Sequence, residues 1–314
     1  MTAKIKTVAI AAGVGIALLA SVSAEAQQVR LMTGPQGGSW YPLGGAIANI
    51  VEKAGIRMQV LPGAGIANVK AVQAGKADFG FGNSISTVDG VAGRPPFDAK
   101  AENVCNVATL YPQYFQIVAN ADSGINSLAD VKGKAIAVQP KGNTAEFISQ
   151  QALQVYGLKY DDASRVSYVS YTDAVSLMKD NNAQLFTLGT TVPASAIMDL
   201  ASARDIKLIS VGDDKFAEMR ALNPGYTKLT IKAGSYPKQD KDVQAVGYAT
   251  HVIARCDLDE KVVYEVTKGL AESNADLTSI VRVMKDTTLK VMAEDIGVPL
   301  HKGAAKYYKE KGAM

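Results

Sequence analysis

The sequence predicts an α/β protein of two blocks, each a mostly parallel sheet flanked by helices. Strand-like and helix-like segments alternate from residue 29 onward, and the short connections between them mark βαβ units. The alternation is made over residues 29–91 and again over residues 130–211. In both stretches, turns rich in Gly, Asn, Ser and Thr stand where a strand gives way to a helix. Ligands of open parallel sheets sit beyond those strand ends, so two such blocks facing each other form a cleft.

Residues 29–32 read as a strand, and helix-like sequence runs from about Leu43 to Ala54. The turn between them carries Gly37, Gly38, Ser39, Trp40 and Tyr41. A strand, a glycine-rich turn and a helix N-terminus present free N–H donors to an anion. Trp40 is the only tryptophan; beside open amides it reads as a pocket wall, or else as one core aromatic. A strand at 57–61 leads through Pro62–Gly65 into a helix at 66–74, and a strand at 79–82 precedes Asn83 and Ser84, which can cap a helix through Val91. The run from Gly63 to Asn68 looks like a dinucleotide fingerprint, but no acidic residue stands at a clear strand end about twenty positions on.

Strands at 104–110 and 116–119 flank a break at Tyr111-Pro112-Gln113-Tyr114-Phe115. In the second block, a strand at 135–139 ends in Pro140-Lys141-Gly142-Asn143-Thr144 before a helix at 145–156. A strand at 167–170, a helix at 172–179 and a strand at 184–188 follow; Pro193 then opens a helix within its first turn, and 207–211 is a strand. Residues 245–254 form a strand. Asp257 or Asp259 caps a helix to about Ala275, and 293–304 and 307–310 are helical pieces.

Lys4 and Lys6, an uncharged apolar stretch over 8–20 and Ala24-Glu25-Ala26 form a secretory signal peptide over 1–26, cut after Ala26. The mature chain is expected in the periplasm. About 290 residues then remain, enough for two lobes. A net charge of +3 without a basic block excludes a nucleic-acid footprint. Cys105 and Cys256 can pair in an oxidising compartment or stay as two buried thiols. The thiols are favoured, because the sequence does not place the two Cα atoms within bonding reach.

Catalytic constellations are missing from the sequence. There are two histidines, His251 and His301, with no His-Glu-x-x-His, no cysteine pair at metal spacing and no Gly-x-Ser-x-Gly. No catalytic residue, metal or cofactor is expected; the donor-rich turns point to binding without turnover. The amides of 37–40 and of Gly142, Asn143 and Thr144 suit a carboxylate, with Lys141 as a charge or a solvated loop lysine. Trp40, Tyr41, Tyr111 and Tyr114 supply walls or core packing. Asn68, Asn83 and Ser84 read polar groups or cap helices.

Several stretches carry a family resemblance: Thr33-Gly34-Pro35-Gln36-Gly37-Gly38-Ser39-Trp40-Tyr41-Pro42-Leu43-Gly44, then Asn68 and Gln73-Ala74-Gly75-Lys76-Ala77-Asp78-Phe79-Gly80. Leu110-Tyr111-Pro112, Ser127-Leu128-Ala129-Asp130-Val131-Lys132-Gly133-Lys134, Gly142-Asn143-Thr144, Ala233-Gly234-Ser235-Tyr236-Pro237 and His301-Lys302-Gly303-Ala304 continue it. In these the chain resembles the TAXI family of substrate-binding proteins, which serve TRAP transporters. The resemblance implies a type II-like periplasmic-binding-protein fold, with lobe one at 27–113 and 247–314 and lobe two at 114–246. It implies a monomer that closes on a small organic acid or an amino acid such as glutamate and delivers it to the membrane subunits of a sodium-driven TRAP transporter. It also carries contacts to Thr187 and Thr190, although residues 181–186 depart from the pattern; Gly65 is a candidate contact because it stands at a strand end, where ligands of such sheets sit. A periplasmic module feeding a sensor kinase is the alternative.

Overall fold

The computed structural model describes Met1, residues 27–223 and residues 225–314. The expected signal peptide, Met1 apart, lies outside the described residues. Strand β1 (Gln27–Met32) leads into α1 (Trp40–Glu52), and β2 (Ile56–Leu61) into α2 (Gly65–Gln73). Strand β3 (Phe79–Asn83) leads directly into α3 (Ser84–Ala92). These three strands are parallel, with β1 between the other two. A long strand, β4 (Val104–Asn120), then runs to the second block.

That block begins with β5 (Ala135–Val138), α4 (Thr144–Val155), β6 (Arg165–Tyr168), α5 (Tyr171–Lys179) and β7 (Leu185–Thr190). Strands β5, β6 and β7 are parallel. After them come α6 (Ser195–Ala203), β8 (Ile206–Leu208), α7 (Asp213–Leu222) and β9 (Thr227–Ile231). The second long strand, β10 (Val243–Arg255), runs antiparallel to β4 and joins β3 on its other side. The chain closes with α8 (Glu260–Glu272), α9 (Asn274–Ile280), α10 (Leu289–Met292) and α11 (Lys302–Glu310). The ten strands form one mixed sheet in the order β2-β1-β3-β10-β4-β7-β5-β6, with β8 beside β4 and β9 beside β10. Among the described residues no helix is long and apolar enough to cross a membrane.

The cores explain the order. Parallel strands covered on both faces must be apolar on both faces, and β3 is buried along its whole length. Leu31, Leu43, Phe79, Phe81, Tyr307 and Tyr308 form the core on one face of the first block; Ile66, Val69, Val72 and Ile253 form it on the other. Helix α8 buries Val262, Val263, Val266 and Leu270 on one stripe, and the Asp259 carboxylate accepts from the Val262 N–H at 3.1 Å at its start. In the second block, Phe115, Ile136, Ile148, Leu185 and Tyr226 pack on one side of the sheet, and Phe186, Leu188, Ile197 and Leu200 on the other.

Several expectations are corrected. Residues 111–115 do not break the chain: β4 is continuous, and Pro112 sits opposite Ala249 beside a register shift in β10. Such a shift tolerates a residue that donates no ladder hydrogen bond. Helix α1 starts at Trp40, three residues before Leu43, with Pro42 in its first turn. Pro193 lies outside α6, which starts at Ser195 after the Ala194 N–H is taken by the Tyr236 hydroxyl at 2.9 Å. Residues 293–301 are not helical; Gly297 has φ +75, and His301 Nδ1 accepts from the Gly303 N–H to start α11 late. Elements α7 and β9 have no counterpart in the sequence reading. Cys105 and Cys256 are not free thiols but a disulfide, with S–S 2.08 Å and Cα–Cα 5.0 Å. The antiparallel register sets Ala254 against Cys105, and Cys256 follows two residues later, so the two long strands bring distant positions into bonding reach.

Candidate ligand-binding site

Four helices begin around one pocket. Ser39 and Trp40 bring the N-terminus of α1, Gly65 that of α2, Asn83 that of α3 and Asn143 that of α4. Three belong to the first block and one to the second. The N–H groups of Trp40, Gly65 and Thr144, each first in its helix, find no acceptor among the described residues. A helix N-terminus carries roughly half a positive charge, so the pocket is electropositive although no Lys, Arg, Asp or Glu lines it.

The rest of the wall is neutral and hydrogen-bonding. The Tyr171 hydroxyl bridges the carbonyl and N–H of Gly189 at 3.0 and 3.1 Å. In the orientation that satisfies its neighbours, the Gln113 amide donates to the Gly189 carbonyl at 3.0 Å. Its oxygen then accepts from Trp40 Nε1 and Thr250 Oγ1 at 2.5 and 2.6 Å. Tyr248 reaches the pocket over Gly189, where a Cβ would collide with its hydroxyl. Burial pushes the Tyr171 and Tyr248 phenols well above their ordinary value, so both stay neutral. His251 lies in the interior, its Nε2 2.7 Å from Thr87 Oγ1 and its Nδ1 3.0 Å from Asn106 Oδ1. Desolvation lowers its pKa to about 3, so it is a neutral core group.

The two blocks meet across the pocket. The Ser39 N–H donates to Thr190 Oγ1 at 3.3 Å, and the Thr190 hydroxyl donates to Ser39 Oγ at 3.2 Å. The Ser195 hydroxyl donates to the Gly37 carbonyl at 3.2 Å, and the Ala67 N–H to the Gly142 carbonyl at 3.0 Å. The cavity measures about 20 Å³, room for about one water. The structure is therefore contracted around the site.

Of the residues singled out from sequence, Gly38, Ser39, Trp40, Gly65, Asn83, Asn143 and Thr190 line this pocket. Others sit apart. Gly37 lines an adjoining groove, and Tyr41 is exposed on α1. Asn68 is wholly buried, its amide donating to the carbonyls of Thr33 and Phe81 and accepting from the Ala64 N–H. Ser84 Oγ accepts from the Ala249 N–H. Tyr111 stands behind Ser39, sharing a hydrogen bond with its hydroxyl at 3.2 Å, and Tyr114 packs against the second block's core. The Lys141 ammonium lies 5.3 Å from the Tyr168 ring centroid. Thr144 Oγ1 meets Ser86 Oγ at 3.0 Å, and Thr187 Oγ1 meets Ser149 Oγ at 2.7 Å. Gln113, Tyr171, Gly189 and Tyr248 line the pocket without a sequence signal beyond their closeness to strand ends.

A family model, the NMT1-like family, matches residues 31–312. The chain belongs to the NMT1-like family. Its fold recurs in solved structures. A protein of Bordetella bronchiseptica RB50 superposes with a TM-score of 0.56 at 19% identity, covering 92% of this chain and 90% of its own. An ancestral arginine-binding protein bound to arginine gives 0.51 at 14% identity, covering 84% of this NMT1-like chain and 99% of its own. A Xanthomonas citri protein bound to ATP gives 0.51 at 13% identity, covering 91% and 96%. The architecture is that of the periplasmic binding proteins.

Proposed function

We propose that this member of the NMT1-like family is a periplasmic receptor that closes two lobes on a small organic acid. Residues 27–113 and 247–314 make one lobe and 114–246 the other, joined by β4 and β10. A cleaved signal peptide at 1–26 exports the chain. The observation that carries the reading is the convergence of four helix N-termini from both blocks on a contracted pocket without a basic side chain. Backbone amides and helix dipoles suit a carboxylate, and contact from both blocks makes ligand favour the closed state. The TAXI-like stretches point to a TRAP transporter as the recipient.

The test joins binding to transport. Calorimetry with small carboxylic acids and their primary amides should show binding of an acid and none of its amide. Vesicles holding cognate TRAP membrane subunits should then take up that acid only with the mature protein outside and an inward sodium gradient, without ATP. Equal binding of the amide would end the carboxylate reading. Uptake that needs ATP and ignores sodium would end the TRAP assignment.

A further inference from the structure

Two polar groups at the pocket have no partner. Asn83 is 3% exposed, lines the pocket, and makes no side-chain hydrogen bond among the described residues; its Oδ1 is fully buried. Tyr248 is 2% exposed and its hydroxyl, which also faces the pocket across Gly189, has none either. The neighbouring Gln113, Tyr171 and Trp40 are satisfied within the protein. Buried polar groups left unmet cost free energy, so Asn83 and Tyr248 are the places where a ligand completes the network.

These groups constrain the ligand's chemistry. A buried amide oxygen accepts a hydrogen bond, and a neutral phenol can donate one. A hydroxyl serves both whichever end of the Asn83 amide it meets: its O–H donates to Oδ1, or its oxygen accepts from Nδ2, the end that stands beside Gly65, and its oxygen accepts from Tyr248. An ammonium is served badly. No Asp or Glu lines the pocket, four helix N-termini raise its potential, and a buried cation without a counter-charge is costly. The one acidic residue in the first turns of these four helices, Glu146 of α4, accepts from Gln150 Nε2 at 2.7 Å and does not line the pocket.

We infer that the ligand is a hydroxy acid: a carboxylate held by the helix N-termini, with an adjacent hydroxyl read by Asn83 and Tyr248 and no amino group. The inference rests on the carboxylate reading above and narrows it. Asn83 and Tyr248 are then specificity determinants for that hydroxyl.

Calorimetry with 2-hydroxy, 2-oxo, 2-amino and unsubstituted monocarboxylic acids of matched skeletons, from three to six carbons, tests it. In the skeleton that binds, the hydroxy acid should be tightest and the amino acid at least about tenfold weaker. Tyr248→Phe should bring the hydroxy-to-unsubstituted affinity ratio close to one, where a purely structural tyrosine would weaken both acids together. Asn83→Asp should shift preference toward the amino acid. An amino acid that binds as tightly as the hydroxy acid, or a ratio unmoved by Tyr248→Phe, overturns the inference and leaves the carboxylate reading standing. Failure of every acid overturns both.

Discussion

The turn at residues 34–40 and the turn at residues 140–144 both deliver a helix N-terminus to the pocket, and they are held in place differently. The first is anchored at a distance. Trp40 is 5% exposed, stacks on Phe81 with ring centroids 5.3 Å apart, and places its indole N–H 3.3 Å from Thr250 Oγ1. The second is closed by its own cap, apart from the bonds that Gly142 and Thr144 make to the first block. Asn143 Oδ1 accepts from the Ala145 N–H at 2.8 Å, Gly142 takes φ +88, and Lys141 is exposed. A turn whose aromatic belongs to a core moves only with that core. A turn closed by its own cap can be disturbed without touching the core behind it. The same donor geometry toward a ligand therefore comes with unequal ties to stability.

The largest expected effect is at the distant anchor. Trp40→Ala should lower the unfolding free energy of the unliganded protein by about 3–5 kcal/mol, the range for a buried aromatic. Urea melts of wild type and variant measure it. A loss below about 1 kcal/mol would show that the indole serves the pocket and not the core, and would erase the contrast between the turns.

An intermediate effect separates the blocks by acid. Both histidines lie outside residues 114–246, and His251 ties β10 to α3 and β4. Its pKa falls from 6.5 to about 3 on burial. Below pH 6.5 the unfolded chain takes up this proton and the folded chain does not. The contribution is thus fully present above pH 6.5 and declines toward pH 3, reaching roughly 2 kcal/mol of lost stability at pH 5. Urea melts from pH 8 to pH 5 should show this loss in wild type, and His251→Gln should flatten it. Equal slopes in the two proteins would remove His251 as the source.

The smallest effect is at the self-capped turn. Asn143→Ala should cost about 1 kcal/mol, the usual value of an N-cap side chain. A loss matching that of Trp40→Ala would mean that the second turn is as deeply tied to its core as the first.

What the sequence disclosed follows the same division. Local chemistry was legible: glycine, asparagine and serine at strand ends marked where α2, α3 and α4 begin and, three residues late, α1, because capping and turn preferences act within a few residues. Pairing across the sheet was not. Pro112 looked like a break because the register shift that accommodates it belongs to β10, far along the chain. The cysteines were unreadable for the same reason. Tyr248 and Gln113 reach the pocket from the two long strands, and apolar alternation announces a strand but not what its central residues face. Asn68 was visible as a polar residue in a helix start, yet its work is to tie three segments together, donating to the carbonyls of Thr33 and Phe81 and accepting from the Ala64 N–H.

The Cys105–Cys256 bond joins positions 151 residues apart, and every element from β5 to β9 lies inside that covalent ring. A protease cut anywhere in the ring yields two chains still joined through sulfur. Such a nicked molecule would migrate as one species until reductant is added, so proteolytic damage to the ring would go unseen on a non-reducing gel. A single cut releases a fragment only outside the ring, before Cys105 or after Cys256.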